Sequence, residues 1–123
     1  MKFGARAFAV FVVLFFGDAA YQASQITESE YSHKVFTENR RNVLQRLEAA
    51  GGSHLIIVRY TPSHMVHEEW VYNHADIDGA AIVWARDMGE GPNRELLDYY
   101  PARKAWLLEA DAPNPTPASY LPR

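Results

Sequence analysis

Apolar residues are arranged along this chain in three ways, and each arrangement predicts a different kind of element. Between Ala7 and Gly17 the uncharged run AFAVFVVLFFG places bulky Phe and Val on every side of a helix. A helix at the surface of a water-soluble domain carries a single apolar stripe, so this run predicts one hydrophobic helix in an apolar environment. From Val35 to Ala50 the pattern becomes periodic. Phe36, Val43, Leu44 and Leu47 recur at helical spacings, with Arg40, Arg41, Asn42, Gln45, Arg46 and Glu48 on the wet side. Thr37 is the expected N-cap and Gly51-Gly52 the expected stop. The third arrangement is the short continuous run. His54–Tyr60 (HLIIVRY), Ala80–Ala85 (AAIVWA) and Lys104–Glu109 (KAWLLE) predict strands buried on both faces, with Trp84 and Trp106 in the core.

Asn93–Tyr100 predicts a short helix between the second and third strands, with Pro92 near its first turn and Pro101 stopping it. Strand, helix, strand with continuous apolar strands implies a right-handed parallel crossover. The weak alternation of Glu69–Asn73 predicts a short edge strand. Asn73 then caps one helical turn through Asp78, ending at Gly79. Trp70 and Tyr72 are expected to pin this connection to the body. Residues 22–34 are polar and without period, which reads as a stalk. Residues 112–123 carry four prolines and read as an extended, unpacked tail. The expected fold is therefore α/β, a small sheet of about three mainly parallel strands with flanking helices, preceded by one hydrophobic helix. The expected organisation is an anchor or signal at 1–21, a stalk at 22–34, the domain at 35–111 and the tail at 112–123.

Charge and composition exclude several functions. The net charge is -3, and nothing basic is clustered beyond Arg40-Arg41. Nucleic acid needs a concentrated positive field and is not an expected partner. The absence of cysteine removes disulfides, thiolate zinc sites and cysteine nucleophiles. No Gly-x-Ser-x-Gly, Ser-x-x-Lys or phosphate-cradling Gly-x-x-x-x-Gly-Lys motif is present. Lys2 and Arg6 ahead of the apolar run resemble the start of a secretory signal, with Gly17 and Ala19 at the −3 and −1 positions of a cleavage site. The alternative is a retained anchor. A full span needs ~20 apolar residues, which Met1–Tyr21 reaches only by including Arg6 and Asp18 at its ends. Either way, basic residues on the N-terminal side place that end in the cytoplasm and the domain outside.

Parallel α/β sheets bind ligands outside the carboxyl ends of their strands. Here that rule selects Arg59-Tyr60, Arg86-Asp87, Glu109 and Asp111, with the loop Asp87–Pro92 leading into a helix N-terminus. Arg59, Arg86, Asp87, Gly89, Gly91 and Asn93 form a candidate anion site, in which two arginines and the free amides beside two glycines hold a phosphate or carboxylate. The competing reading is that Arg59 and Arg86 pair with Asp87, Glu109 or Asp111 and only satisfy the strand ends. A second candidate is a metal site at His64, His67 and Glu68, histidines three apart with carboxylates close by, from which a metal-dependent enzyme would follow. The competing reading there is a solvated loop. No other cofactor is implied.

The run Gly52–Asp111, through HLIIVRY, EEWVYNHADIDGAAIVWARDMG and NRELLDYYPARKAWLLEAD, resembles the C-terminal soluble domain of large bacterial multi-spanning membrane proteins similar to glycosyltransferases that use lipid-linked sugars. The resemblance covers about half the chain and rests on the words VYN, ADID and VWARDM. In such proteins this domain follows the last membrane helix, which favours the anchor over the cleaved signal. The catalytic carboxylates of those proteins lie in loops of the membrane part, so no catalytic role transfers to a residue here. The resemblance implies a membrane-tethered, extracytoplasmic accessory domain, non-catalytic on its own, whose partners are the bilayer through residues 1–21 and the membrane part of a glycosyltransferase-like protein. An independent binding protein for an anionic small molecule is the second expectation. It requires Arg59 and Arg86 in one cavity beside the 87–92 loop.

Overall fold

The computed structural model describes the backbone of residues 2–121, and the side chains of residue 10 and residues 12–27 and 29–121. Lys2, Arg6 and the start of the apolar run lie outside the described side chains, as do Pro122 and Arg123 of the tail. The chain divides into two units, residues 1–35 and 36–123.

A single helix, α1, runs from Lys2 to Ala50 without a break. The polar 22–34 segment is therefore helical, and Thr37 is an interior residue and not an N-cap. The reason lies in exposure. Nearly every described side chain from Gln22 to Lys34 is exposed, so no packing surface selects apolar residues and no period is written into the sequence. Ser24 and Thr27 turn their hydroxyls back onto the helix, donating to the carbonyls of Tyr21 (2.7 Å) and Ala23 (2.8 Å). Among the described residues no helix is long and apolar enough to cross a membrane. α1 ends where Gly51 and Gly52 take positive φ, 61° and 86°, as the sequence predicts.

The second unit is an α/β domain around a four-stranded mixed sheet. Its strands are β1 (His54–Arg59), β2 (Ile82–Arg86), β3 (Lys104–Glu109) and β4 (Ala118–Ser119), in the order β2-β1-β3-β4. β1 pairs in parallel with both β2 and β3, and the helix α2 (Glu90–Tyr99) carries the chain from one to the other past β1. α2 begins three residues earlier than expected and takes Gly91 and Pro92 into its first turn. β1 is central and buried over five consecutive residues, which is why it reads as an unbroken apolar run.

Register decides which residues share a face. His54, Ile56 and Val58 stand beside Ile82, Trp84 and Arg86 on β2 and beside Lys104, Trp106 and Leu108 on β3. On this face Ile56, Val58, Trp84 and Leu108 pack with Val43 and Leu47 of α1 and with Trp70, forming the main core. The other face carries Leu55, Ile57 and Arg59, beside Val83 and Ala85 on β2 and Ala105, Leu107 and Glu109 on β3.

Two connections differ from the sequence reading. Glu69–Asn73 is not a strand, and 75–79 is a bend and turn without a helical turn. Asn73 caps no helix. Its side-chain amide instead donates to the Trp84 carbonyl and accepts from the Trp84 amide, both at 2.8 Å. One side chain thus occupies the open edge of β2 in place of a neighbouring strand, which blocks further pairing there. Trp70 is buried as expected, while Tyr72 is exposed and meets the Arg40 guanidinium 5.8 Å from its ring centre. The proline-rich tail also packs. Pro115 is buried, Ala118–Ser119 pairs antiparallel with β3, and the Tyr120 amide donates to the Ala105 carbonyl at 3.0 Å. Prolines leave the chain extended, and an extended chain beside an open strand edge is what a β pair requires.

Candidate functional site

The carboxyl ends of β1, β2 and β3 lie along one rim. Arg59 ends β1, and its partner in register on β3 is Glu109. Asp87 follows the last residue of β2, and because Val58 pairs with Arg86, Asp87 falls level with Arg59. The three charges are thus delivered to the same face. The Arg59 guanidinium donates from Nε to Asp87 Oδ2 at 2.6 Å and from Nη1 to Glu109 Oε1 at 3.0 Å.

Beneath this ion group lies a buried amide. Asn93, in the first turn of α2, is 3% exposed. Its Nδ2 donates to Asp87 Oδ1 (2.7 Å) and to the Tyr120 hydroxyl (3.1 Å), and its Oδ1 accepts from the Met88 amide (3.1 Å). Asp87 Oδ1 also accepts from the Gly89 amide at 3.1 Å. Gly89 has φ 89°, a conformation open to glycine, which lets the chain turn from β2 into α2 while aiming this amide at the carboxylate. Burial pushes the Asp87 carboxyl up, but the donors Asn93, Gly89 and Arg59 outweigh it and hold the group below the ordinary aspartate value. The hydrogen bond to Asp87 raises Arg59 in turn.

A cleft of about 410 Å³ opens beside this network, lined chiefly by Arg59, Asp87, Glu90, Asn93, Leu107 and Tyr120. Gly89 lines it too, whereas Gly91 and Arg86 do not. Arg86 stands on the opposite face of the sheet, because adjacent positions in a strand point in opposite directions. There its Nη2 bonds Glu69 Oε2, and its guanidinium sits 5.1 Å from the ring centre of Tyr60. The Tyr60 hydroxyl donates to Glu69 and accepts from the Trp70 amide at 3.0 Å, and Glu69 also accepts from the Val71 amide at 2.9 Å. Burial raises Tyr60, and the hydrogen bond to Glu69 adds to the shift. Burial also acts to raise Glu69, but donors from Tyr60, Val71 and Arg86 bring it below its ordinary value. The two arginines therefore do not converge. Each is locked to carboxylate, and the two-arginine anion site is overturned by register.

The metal candidates separate as well. His64 Nδ1 meets Asp111 Oδ1 at 2.6 Å, and Asp111 Oδ2 accepts from the amide (2.7 Å) and hydroxyl (3.0 Å) of Thr61. A carboxylate only accepts, so the ring proton lies on Nδ1. Burial raises Asp111, yet the Thr61 and His64 bonds hold it below the ordinary aspartate value. The imidazole packs against the Tyr60 ring with centres 4.1 Å apart. His67 is exposed and Glu68 half-buried. Among the described residues no three His, Asp or Glu side chains are grouped to hold a metal ion. The His64 loop is a clamp joining the 61–69 connection to the end of β3.

Sequence reasoning missed Tyr120, Leu107 and the Tyr60–Glu69 pair. Tyr120 follows three prolines within an apparent tail, and only its place beside β3 brings it to Asn93. Glu69 lies ten residues beyond β1, and nothing in its local pattern announces Tyr60 and Arg86 as partners. No family model, no curated protein and no solved structure matches this chain.

Proposed function

We propose that this chain is a membrane-attached, extracytoplasmic accessory domain of a glycosyltransferase-like system, non-catalytic by itself and held to the bilayer through residues 1–21. One observation carries the reading. Val13, Leu14, Phe15 and Phe16 are four consecutive helical positions, and each is more than 60% exposed. At ~100° per residue they cover every side of the helix. A protein groove covers one side, whereas lipid surrounds a helix completely. The apolar run Ala7–Gly17 extends roughly 16 Å at ~1.5 Å per residue, against a hydrocarbon core of ~30 Å. It enters the bilayer with Arg6 and Asp18 near its limits, where charged groups reach the interface.

The rim of the sheet supports the accessory role. Arg59, Arg86 and His64 each face a carboxylate, and Asp87, Glu69 and Asp111 are each fixed by two or more donors. Such groups hold a loop in place. A general acid or base needs freedom to exchange its proton near the working pH. The resemblance of the 52–111 region to domains that follow a membrane part supports the same reading.

The test is flotation with neutral phosphatidylcholine vesicles. The wild-type chain is expected to rise with the vesicles, and the Phe15→Asp/Phe16→Asp variant to remain at the bottom with its domain folded. Wild-type protein left at the bottom with the variant overturns the reading.

A further inference from the structure

The cleft beside Arg59 stands apart from membrane attachment, and its chemistry can be argued separately. We propose that it binds a neutral, polyhydroxylated ligand of about the size of one pyranose ring. Its volume of about 410 Å³ is in the range of small-molecule sites, roughly 300–1,000 Å³. It also lies at the carboxyl ends of parallel strands, where such folds bind ligands.

Net charge selects the ligand class. One guanidinium, Arg59, faces two carboxylates, Asp87 and Glu109, and Glu90 stands on the lip. This excess of negative charge opposes phosphate or carboxylate ligands. A bare cation is opposed in turn by Arg59 and by the N-terminus of α2, whose aligned amides carry about half a positive charge. A neutral ligand meets neither penalty.

Remaining hydrogen-bonding capacity then defines the groups that fit. Arg59 uses Nε and one N–H of Nη1 on its carboxylates, which leaves the second N–H of Nη1 and the two of Nη2. The Tyr120 hydroxyl accepts from Asn93, so its own proton remains to be donated. The first-turn amide of Glu90, which lines the cleft, has no carbonyl within the helix to bond. Acceptors stand among these donors. Asp87 Oδ2 takes one bond from Arg59 and keeps a further lone pair, and the Glu90 carboxylate shares only Oε1 with Arg94. Donors and acceptors side by side match vicinal hydroxyls, because each hydroxyl both donates and accepts. Leu107 supplies an apolar surface for the C–H face of a ring. The floor is already rigid, since Asn93 is buried and fully bonded, so binding requires little ordering of the protein.

The experiment is an NMR titration of the isotope-labelled full chain in an amine-oxide detergent, which contains neither sugar nor phosphate. The probes are glucose, mannose, galactose and N-acetylglucosamine, with inorganic phosphate and methylammonium as charged comparators. At least one sugar is expected to shift the Glu90 amide, the Asn93 side-chain amide and the Arg59 Nε–H saturably in the millimolar range. Tyr120→Phe, which keeps the ring and removes the hydroxyl that bonds Asn93 in the cleft, is expected to weaken that response about tenfold while the remaining spectrum stays folded. A saturable response to phosphate or methylammonium with none to sugars overturns the proposal. So does silence from all four sugars, or a sugar response that Tyr120→Phe leaves unchanged. Vesicle flotation of Tyr120→Phe is expected to match wild type, so this inference and the attachment reading can fail separately.

Discussion

In the first unit Val13, Leu14, Phe15 and Phe16 are 62–71% exposed, whereas in the second Leu55, Ile56, Ile57 and Val58 are fully buried. Both stretches are four consecutive apolar residues, so hydrophobicity alone does not separate them. β-Branching and the Gly51-Gly52 break set His54–Arg59 as a strand, and a central strand buries both of its faces beneath helix and loop. Among the described residues the N-terminal run has no second layer within its unit. The comparison teaches that an apolar run alone does not fix what covers it, and that the surrounding chain decides whether protein packs on it.

Breaking the protein-made core gives the largest expected effect. Trp70 is 1% exposed and touches Phe36 and Trp84. Trp70→Ala is expected to cost about 3–5 kcal/mol, read by denaturant unfolding in detergent. Vesicle flotation of the same variant should be unchanged, because the proposed attachment does not depend on the core. A smaller loss is expected at the rim. Asn93→Ala removes the bonds of a buried amide to the Met88 amide, to the Tyr120 hydroxyl and to Asp87 Oδ1, which keeps only the Gly89 amide, at a cost of about 1–3 kcal/mol. The Gly91 and Tyr120 resonances should move with it, while the Tyr60 resonances stay in place.

Acid sharpens the contrast next. Asp87, Glu69 and Asp111 all lie below their ordinary values in the folded domain. A carboxylate lowered on folding stabilises the fold when charged. That stabilisation is complete above the unfolded-state values of roughly 4, and it disappears as pH falls through the lowered folded-state values. The domain should therefore hold its stability from neutrality down to about pH 5 and lose it below about pH 4, followed by thermal melting. The helical signal of residues 10–31 should change less, since those residues contribute none of the three carboxylates.

The smallest effect concerns the two arginines. Arg59 is half-exposed, so Arg59→Gln is expected to cost no more than about 1 kcal/mol. It should perturb Asn93 and Tyr120, whereas Arg86→Gln should perturb Tyr60 and Trp70. Because the sheet lies between them, the double variant should be additive in unfolding free energy. Strong coupling would contradict the register.

These arginines also show how far the sequence is legible. Strand identity was readable, because a central parallel strand writes burial on both faces as Leu-Ile-Ile-Val. The parallel order and the rim followed from it. Pairing register was not readable, since a shift of one position exchanges every side chain between faces and leaves the composition of each strand unchanged. The anion site assumed Arg59 and Arg86 to be level, whereas Val58 is level with Arg86. β4 was hidden for a different reason. Two paired residues after a run of prolines carry no alternation to detect. The helical 22–34 segment was hidden because exposure on all sides erases period.

The central claim is that the two units face different solvents, and spin-label accessibility in phosphatidylcholine vesicles tests it directly. Labels at Leu14 and at the exposed Glu109 are compared for collision with lipid-soluble oxygen and with a water-soluble nickel chelate. The account predicts that the Leu14 label favours oxygen and excludes nickel, while the Glu109 label does the reverse. Equal nickel accessibility at the two positions would contradict it.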